Sequence, residues 1–384
     1  MKKKILLIGP FGDFGGRELE VSFIASVLAS KYEVYICTTG SVSEKSQVFN
    51  FNKDQKVFSV KDILCRTSFS IKLLCFLSYI KNHFRGIFTS YANNEIAKRY
   101  FNYDKKLNNI LEELVKQYEV VFICADLSSA YMNQIITFSK KHQVKVIFRT
   151  TAQIKGIDFN YLNDVDLFIH HSVNNAERIQ LNNYKIIDQC TFIQDQLLSL
   201  ENNNGKTNFL LLGRLSEEKG FEEVIDYFVR CKEQKDQLTI VGDGKLKEKL
   251  QLKYAGFPEI KFLGFVKSEN LDSILKEIDC LIISSFEESG PLVGIEAMAA
   301  AKTIISTKVG AMTERLKNTL NDFWFDIRDY NTFKKEFQRF KNLDNDSLAE
   351  INNSLRNEYK KEYTMESIAA KYLKSIDTVL GLKI

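Results

Sequence analysis

Short, almost uninterrupted apolar runs, separated by longer amphipathic stretches, constrain this chain more than any other feature. "KILLIG" (4–9), "YEVYICTT" (32–39), "EVVFICA" (119–125), "VKVIFRTT" (144–151) and "VDLFIHH" (165–171) read as strands. Helical spacing separates them over 18–29, 96–118 and 128–141. A strand apolar on both sides needs cover on both sides, and helices between successive strands supply it, which makes the sheet parallel. The polar, turn-forming "SLENNNGKTN" (199–208) breaks the pattern and reads as a linker. The alternation then restarts with "NFLLLGR" (208–214), "QLTIVGD" (237–243), "IKFLGFV" (260–266), "DCLIISS" (279–285) and "KTIIST" (302–307), with helices near 220–232, 245–254, 269–277 and 291–301. The expected fold class is α/β, with two Rossmann-like doubly wound domains facing each other across a cleft. Residues 1–200 form the first and 207–364 the second, and the helical tail 365–384 is expected to cross back onto the first.

Composition narrows the setting. At 384 residues the chain is too long for one ordinary core, and 45% hydrophobic with 27% charged residues is globular. A formal net charge of +4 does not point to nucleic acid as a partner. The N-terminal lysines precede an apolar run that ends at Gly9, too short for a signal peptide, and no window of about 18 uncharged apolar residues exists for a membrane span. Seven cysteines with no C-x-x-C pair argue against a disulfide framework or a zinc site and fit a reducing, cytoplasmic setting. His83 and His142 stand alone and His170-His171 ends a strand, so the histidines read as structural rather than as a metal constellation.

Ligands bind doubly wound sheets at the carboxyl ends of their strands, and the chemistry-bearing motifs fall there. Gly12-Asp13-Phe14-Gly15-Gly16 follows the first strand and opens a helix. Its glycines permit close backbone approach and its helix N-terminus offers N–H groups, but the spacing is not G-x-G-x-x-G, so a plain strand-to-helix turn stays open. In "LLLGRLSEEKG" (210–220), Arg214 leaves the strand after Gly213 and Lys219 follows five residues on, two cations suited to a diphosphate or else a solvated pair matched by Glu217 and Glu218. "VGDG" (241–244), with Gly242, is a ligand turn or simply a tight one. In "SSFEESGPLVGIEAMAAA" (284–301), Glu288 precedes a helix begun at Pro291 and Glu296 lies inside it. The amides from Ser289 to Leu292 share that space, so acceptors and donors surround one point.

These motifs, in this order, resemble the retaining glycosyltransferases of the GT-B fold, glycosyltransferase family four (glycosyl transferases group one), of the bacterial polysaccharide-building type. "GRLSEEKG" is similar to that family's G-R-L-x-x-x-K-G, and "EESGPLVGIEAMAAAKTIIST" to its E-G-F-G-L-x-x-x-E-A-M-A-x-G-x-P-V-I-x-T. The resemblance implies a retaining, metal-independent transfer of a sugar from a nucleotide-sugar such as a UDP- or GDP-sugar to a sugar or lipid-linked saccharide acceptor, with no separate cofactor. Arg214 and Lys219 would bind the donor diphosphate, Glu288 the sugar hydroxyls and Glu296 the ribose. Gly290, Leu292 and the neighbours of Pro291 would contact phosphate and sugar, and Gly213 and Gly242 would line the nucleotide. Gly15 and Gly16 would shape the acceptor side and approach the diphosphate when the cleft closes.

The departures lie mainly on that acceptor side. Arg149 or Thr150 stands where a histidine is usual, and Asp126 stands where one is sometimes found. Ser289 replaces a glycine and Gly310-Ala311 replaces Gly-Gly. A nucleotide-sugar-binding protein without transfer, and a sugar-nucleotide epimerase on the same fold, are the alternatives. Residues 66–106 carry Lys72, Lys81, Arg85, Lys98, Arg99, Lys105 and Lys106 against Glu95 and Asp104, interleaved with apolar residues, either a solvated face or a peripheral contact with an anionic membrane at its inner face.

Overall fold

A computed structural model describes residues 2–154, 159–201 and 205–382. The chain divides into two compact units, one made of residues 1–170, 175–187 and 369–384, the other of 171–174 and 188–368. The polar stretch 199–208 lies inside the second unit, where Ile193 and Leu197 just ahead of it are in that unit's core. Asn202, Asn203 and Asn204 of that stretch, and the 155–158 part of the acceptor-side loop, fall outside the described residues.

Among the described residues the first unit holds seven strands: β1 (Lys4–Gly9), β2 (Glu33–Thr38), β3 (Val57–Ser59), β4 (Val120–Ala125), β5 (Lys145–Thr150), β6 (Leu167–His170) and β7 (Tyr184–Ile186). They are all parallel, in the order β3-β2-β1-β4-β5-β6-β7. The second unit repeats the plan with β8 (Asn208–Leu212), β9 (Gln237–Val241), β10 (Ile260–Gly264), β11 (Cys280–Ile283), β12 (Thr303–Ser306) and β13 (Phe323–Trp324), in the order β10-β9-β8-β11-β12-β13. In both sheets the strand order reverses beside the first strand, the doubly wound topology. The central strands are buried along nearly their whole length: all six residues of β4 and all four of β11 are inaccessible to solvent. That is what their unbroken apolar sequences require.

Three strands escape the hydrophobic pattern because they are short edges. β3 and β7 have three residues and β13 two. The helix expected over 96–118 is two helices, Glu95–Tyr100 and Tyr103–Val115, broken where Asn102 takes a left-handed φ of 51°. Asparagine tolerates that conformation better than most residues.

Two helices end the chain, Asn345–Glu362 and Met365–Val379. The last is shared, its residues from Ala369 onward belonging to the first unit. There Tyr372 packs on Phe122 of β4 with centroids 6.2 Å apart, and Asp377 pairs with Lys31 at 2.7 Å.

Candidate functional site

In the second unit the strand order reverses between β8 and β11, so the loops leaving these adjacent strands diverge and open a crevice at their carboxyl ends. Two hydrogen bonds tie the loops together. Ser284 Oγ donates to the Lys219 carbonyl at 2.6 Å, and the Phe286 amide donates to the Glu218 carbonyl at 2.9 Å. This register brings the Lys219 ammonium onto the Glu288 carboxylate, an ion pair with both side chains about one-fifth exposed. Arg214 is exposed at the exit of β8. Glu218 is held below the usual carboxylate range, first by the Ser216 hydroxyl that donates to it at 2.6 Å. Glu287 lines a neighbouring recess of about 520 Å³ with Glu218, Phe221 and Phe286.

Gly242 answers to packing. A Cβ on it would lie 1.8 Å from the Gly213 carbonyl oxygen, and its φ is 144°. The "VGDG" turn is therefore where β9 crosses the exit of β8, and it fixes the path of Gly213-Arg214.

The loop after β11 is fixed from beneath. Arg315 is fully buried, with Nε and Nη2 donating to the two oxygens of Asp188 at 2.7 Å each and Nη1 donating to the Pro291 carbonyl. Burial pushes the Asp188 carboxyl up, but the Arg315 guanidinium outweighs it and holds the group well below the usual range, with His171 Nδ1 a further 3.7 Å neighbour. Gly290 crosses directly over this pair, since a Cβ there would sit 3.0 Å from Arg315 Nη2 and 3.3 Å from His171 Cβ. The Ala311 amide donates to the Ser289 carbonyl at 3.1 Å, so Ala311 serves at the second position of the departed Gly-Gly pair. These contacts set the start of helix Leu292–Ala299, where the Gly294 amide donates to the Pro291 carbonyl at 3.0 Å and the Leu292 and Val293 amides precede that first bond. Glu296, within that helix, is 5% exposed, and burial pushes its carboxyl up to about 7 against the opposing pull of Thr191 and Arg315.

Lys219, Glu288, Glu296, Gly290 and Leu292 thus come from two adjacent strand ends onto one framework. A lysine, helix amides and the Glu288 carboxylate can receive a ligand that carries both an anionic centre and hydroxyl groups, while Glu296 lies buried within the helix. Arg315, Asp188 and His171 were not legible as part of this framework. They are far apart in sequence and only burial reveals them.

The first unit departs from expectation. The helix Gly16–Ala29 begins at Gly15, but the turn ahead of it is occupied by the protein's own carboxylate. Glu18, 6% exposed, accepts from the Gly12 amide at 2.8 Å, and a Cβ on Gly15 would lie 2.5 Å from Glu18 Oε2. Asp13 is likewise taken up by Ser43, accepting from its amide at 2.6 Å and its hydroxyl at 2.8 Å.

Arg149 and Thr150, expected on the acceptor side, are interior residues. Arg149 is fully buried, donating from Nε and Nη2 to Glu20 at 2.8 and 2.6 Å and from Nη1 to the Ile187 carbonyl. Tyr372 donates to the same Glu20 oxygen at 3.2 Å. A guanidinium on a central strand needs such a partner, because an unpaired buried charge is far too costly. Thr150 Oγ1 lies 2.8 Å from His170 Nδ1 and is 1% exposed. Asp126 is the partly accessible one: it follows β4 and accepts from the Ser128 amide at 2.7 Å, closing the turn beside a recess of about 640 Å³ lined by Ser128, Tyr131, Phe159 and Tyr161.

Two all-parallel Rossmann-like units in one chain, with polar residues gathered at a switch point, define an α/β protein of the GT-B class. Residues 193–361 match the model of the family described as Glycosyl transferases group 1. An uncharacterized glycosyltransferase of Methanocaldococcus jannaschii is 27% identical over 208 residues, which is 52% of this chain and 48% of the relative. The chain thus spans about half the length of that relative. Among solved structures, Anabaena HepE in complex with UDP-glucose matches with a TM-score of 0.69 and 14% identity, covering 98% of this chain and 100% of the other. The lipopolysaccharide outer core galactosyltransferase WaaB in its apo form matches with a TM-score of 0.68 and 16% identity, over 97% and 98% of the two chains. Identities this low establish the shared fold.

Proposed function

We propose that the protein is a glycosyltransferase that moves a sugar from a nucleotide-sugar to an acceptor hydroxyl, with retention at the anomeric carbon and without a metal, in the building of a cell-surface polysaccharide. The observation that carries this reading is the Lys219–Glu288 pair beside the start of helix Leu292–Ala299, with Glu296 about one turn further in. The match of residues 193–361 to glycosyl transferases group 1 supports it. The complex of HepE with UDP-glucose makes a UDP-sugar the first donor to test.

In the transfer, the bond from the anomeric carbon to the diphosphate oxygen breaks, a bond from the acceptor oxygen forms on the same face, and the acceptor's hydroxyl proton passes to the departing diphosphate oxygen. Negative charge then grows on the departing diphosphate. Arg214, Lys219 and the first amides of helix Leu292–Ala299 meet that charge in place, and preorganised donors of this kind lower a barrier substantially. Glu288 accepts from donor-sugar hydroxyls and orients the sugar, and Glu296 accepts from the ribose. The acceptor, a sugar or lipid-linked saccharide, binds on the first unit.

Purified protein is incubated with a panel of UDP- and GDP-sugars and turnover is followed. Lys219→Ala and Glu288→Ala are each expected to lower the rate by about a hundredfold or more, and Glu296→Ala chiefly to weaken donor binding. Wild-type rates in all three would sink the assignment. The burial of Arg149 against Glu20 favours one second reading, a donor-binding protein without transfer. Thermal stabilisation by a nucleotide-sugar with no product from any acceptor selects that reading, because a ligand that binds only the folded state raises its stability whether or not it reacts.

A further inference from the structure

Helix Phe69–Lys81 in the first unit buries one side only. Ile71 and Cys75 are inaccessible, whereas Phe69, Leu73, Phe76, Leu77 and Ile80 lie open to solvent, Phe69 at 81% and Leu77 at 55%. At about 100° per residue these five side chains fall within one stripe about 100° wide, and the exposed Lys72 and Lys81 flank it on either side. Phe84, just beyond the helix, adds another ring at 63% exposure, and Arg85 beside it is exposed. From Ile63 to Asn94 the sequence has Arg66, Lys72, Lys81 and Arg85 and no acidic residue. Soluble surfaces rarely gather so many large apolar side chains unless something covers them.

We propose that this face is a docking surface for an anionic lipid bilayer, the apolar stripe entering the headgroup boundary and the flanking cations meeting lipid phosphates. Charge complementarity selects this occupant: a stripe flanked by Lys72 and Lys81, on a segment that from 63 to 94 carries cations and no acid, suits a negatively charged surface. The geometry favours lying on the bilayer over crossing it. Among the described residues no single helix is long and apolar enough to span a membrane, and the pair Val60–Thr67 and Phe69–Lys81 bends by 111° between its members. The first of that pair is anchored in the unit's core through Val60, Leu64 and Cys65. This inference does not rest on the transfer reading, and its readout is separate from turnover.

The test is flotation of the full chain with vesicles of phosphatidylcholine alone and of phosphatidylcholine with about 30% phosphatidylglycerol. The protein is expected to float with the anionic vesicles and not the neutral ones, less so as salt is raised. Phe76→Ser with Leu77→Ser is expected to remove binding. Lys72→Gln and Lys81→Gln are each expected to weaken it about fivefold. Unchanged far-ultraviolet dichroism and melting verify that each variant is folded, and Leu73→Gln alone serves as a milder second probe of the stripe. No flotation with either vesicle, or equal flotation of wild type and stripe variants, overturns the proposal. So does a wild-type dimer in sedimentation velocity that Phe76→Ser with Leu77→Ser dissolves, which would assign the stripe to a second copy.

Discussion

Glu296 is the residue whose chemistry depends most on its surroundings. Burial moves its carboxyl from an ordinary 4.5 to about 7, so between those values the folded protein holds a proton that the unfolded chain releases. The stability this group contributes is therefore complete below about 4.5 and is lost as pH rises through about 7, a change of about 3 kcal/mol. Glu296→Gln, which cannot ionise, should gain on the wild type in denaturant unfolding as pH goes from about 5 to about 8. A constant gap between the two across that range would contradict a buried, raised carboxyl. The same titration makes a functional prediction. The carboxylate accepts more strongly from the ribose hydroxyls than the neutral acid does, so affinity for a nucleotide-sugar should rise with pH through about 7 in the wild type and stay flat in Glu296→Gln. A flat wild-type profile by calorimetry would remove Glu296 from the nucleotide. The sequence displays this glutamate beside an alanine run, but its burial is decided by tertiary packing, and Thr191 and Arg315, which oppose the rise, are linked to it by no spacing.

Helix Leu292–Ala299 is held at both ends by contacts that differ in legibility. At its far end the Ala301 amide donates to the Met298 carbonyl at 3.1 Å and the Lys302 amide to the Ala297 carbonyl at 2.9 Å, a closure that places Ala301 at φ 53°. Glycine is the usual residue there. Ala301→Gly relieves about 1–2 kcal/mol of left-handed strain and loses a similar amount in buried methyl and chain entropy, so its net effect should stay within about 1 kcal/mol of zero. Ala297→Gly, inside the same helix, should cost about 2 kcal/mol. Equal losses in chemical denaturation would argue against the left-handed cap. At the near end Arg315 is the support. Arg315→Met leaves the buried Asp188 carboxylate unpaired and should cost about 3–5 kcal/mol, while Arg315→Met with Asp188→Leu should recover much of that. A double variant no better than the single would show that the pair is not the reason for the loss. The helix and the strand before it were legible because an apolar run and an N-terminal proline are local signals. The short edges β3, β7 and β13, the break at Asn102 and the Glu18-filled turn were not, since each is decided by neighbours or by one backbone angle.

The second sheet repeats the order of the first six strands of the first, and the alternation of apolar runs with amphipathic stretches made the two-unit repetition legible in the sequence. What the alternation cannot convey is how the chain's end is used, because an amphipathic helix carries no mark of which core it covers. Helix Met365–Val379 buries Tyr372 and Ile376 completely, and from Ala369 onward it belongs to the unit built by the first half of the chain. Tyr372 touches Phe122 and the Glu20 that neutralises Arg149, while Asp377 ties Lys31 and Tyr32. Glu20 and Arg149, 129 residues apart, thus share a charge network with a residue 352 positions beyond Glu20. Removing buried methyl groups from this helix should accordingly weaken the first unit's sheet. Ile376→Ala is expected to cost about 2–5 kcal/mol, and Leu355→Ala, equally buried in the second unit's core, a similar amount. Amide hydrogen exchange separates the two. Ile376→Ala should speed exchange in β1 and β4 and leave β8 and β11 near wild type, whereas Leu355→Ala should do the reverse. If Ile376→Ala instead loosened β8 and β11, the C-terminal helix would have to be counted with the second unit, and the charge network around Arg149 would lose its proposed support.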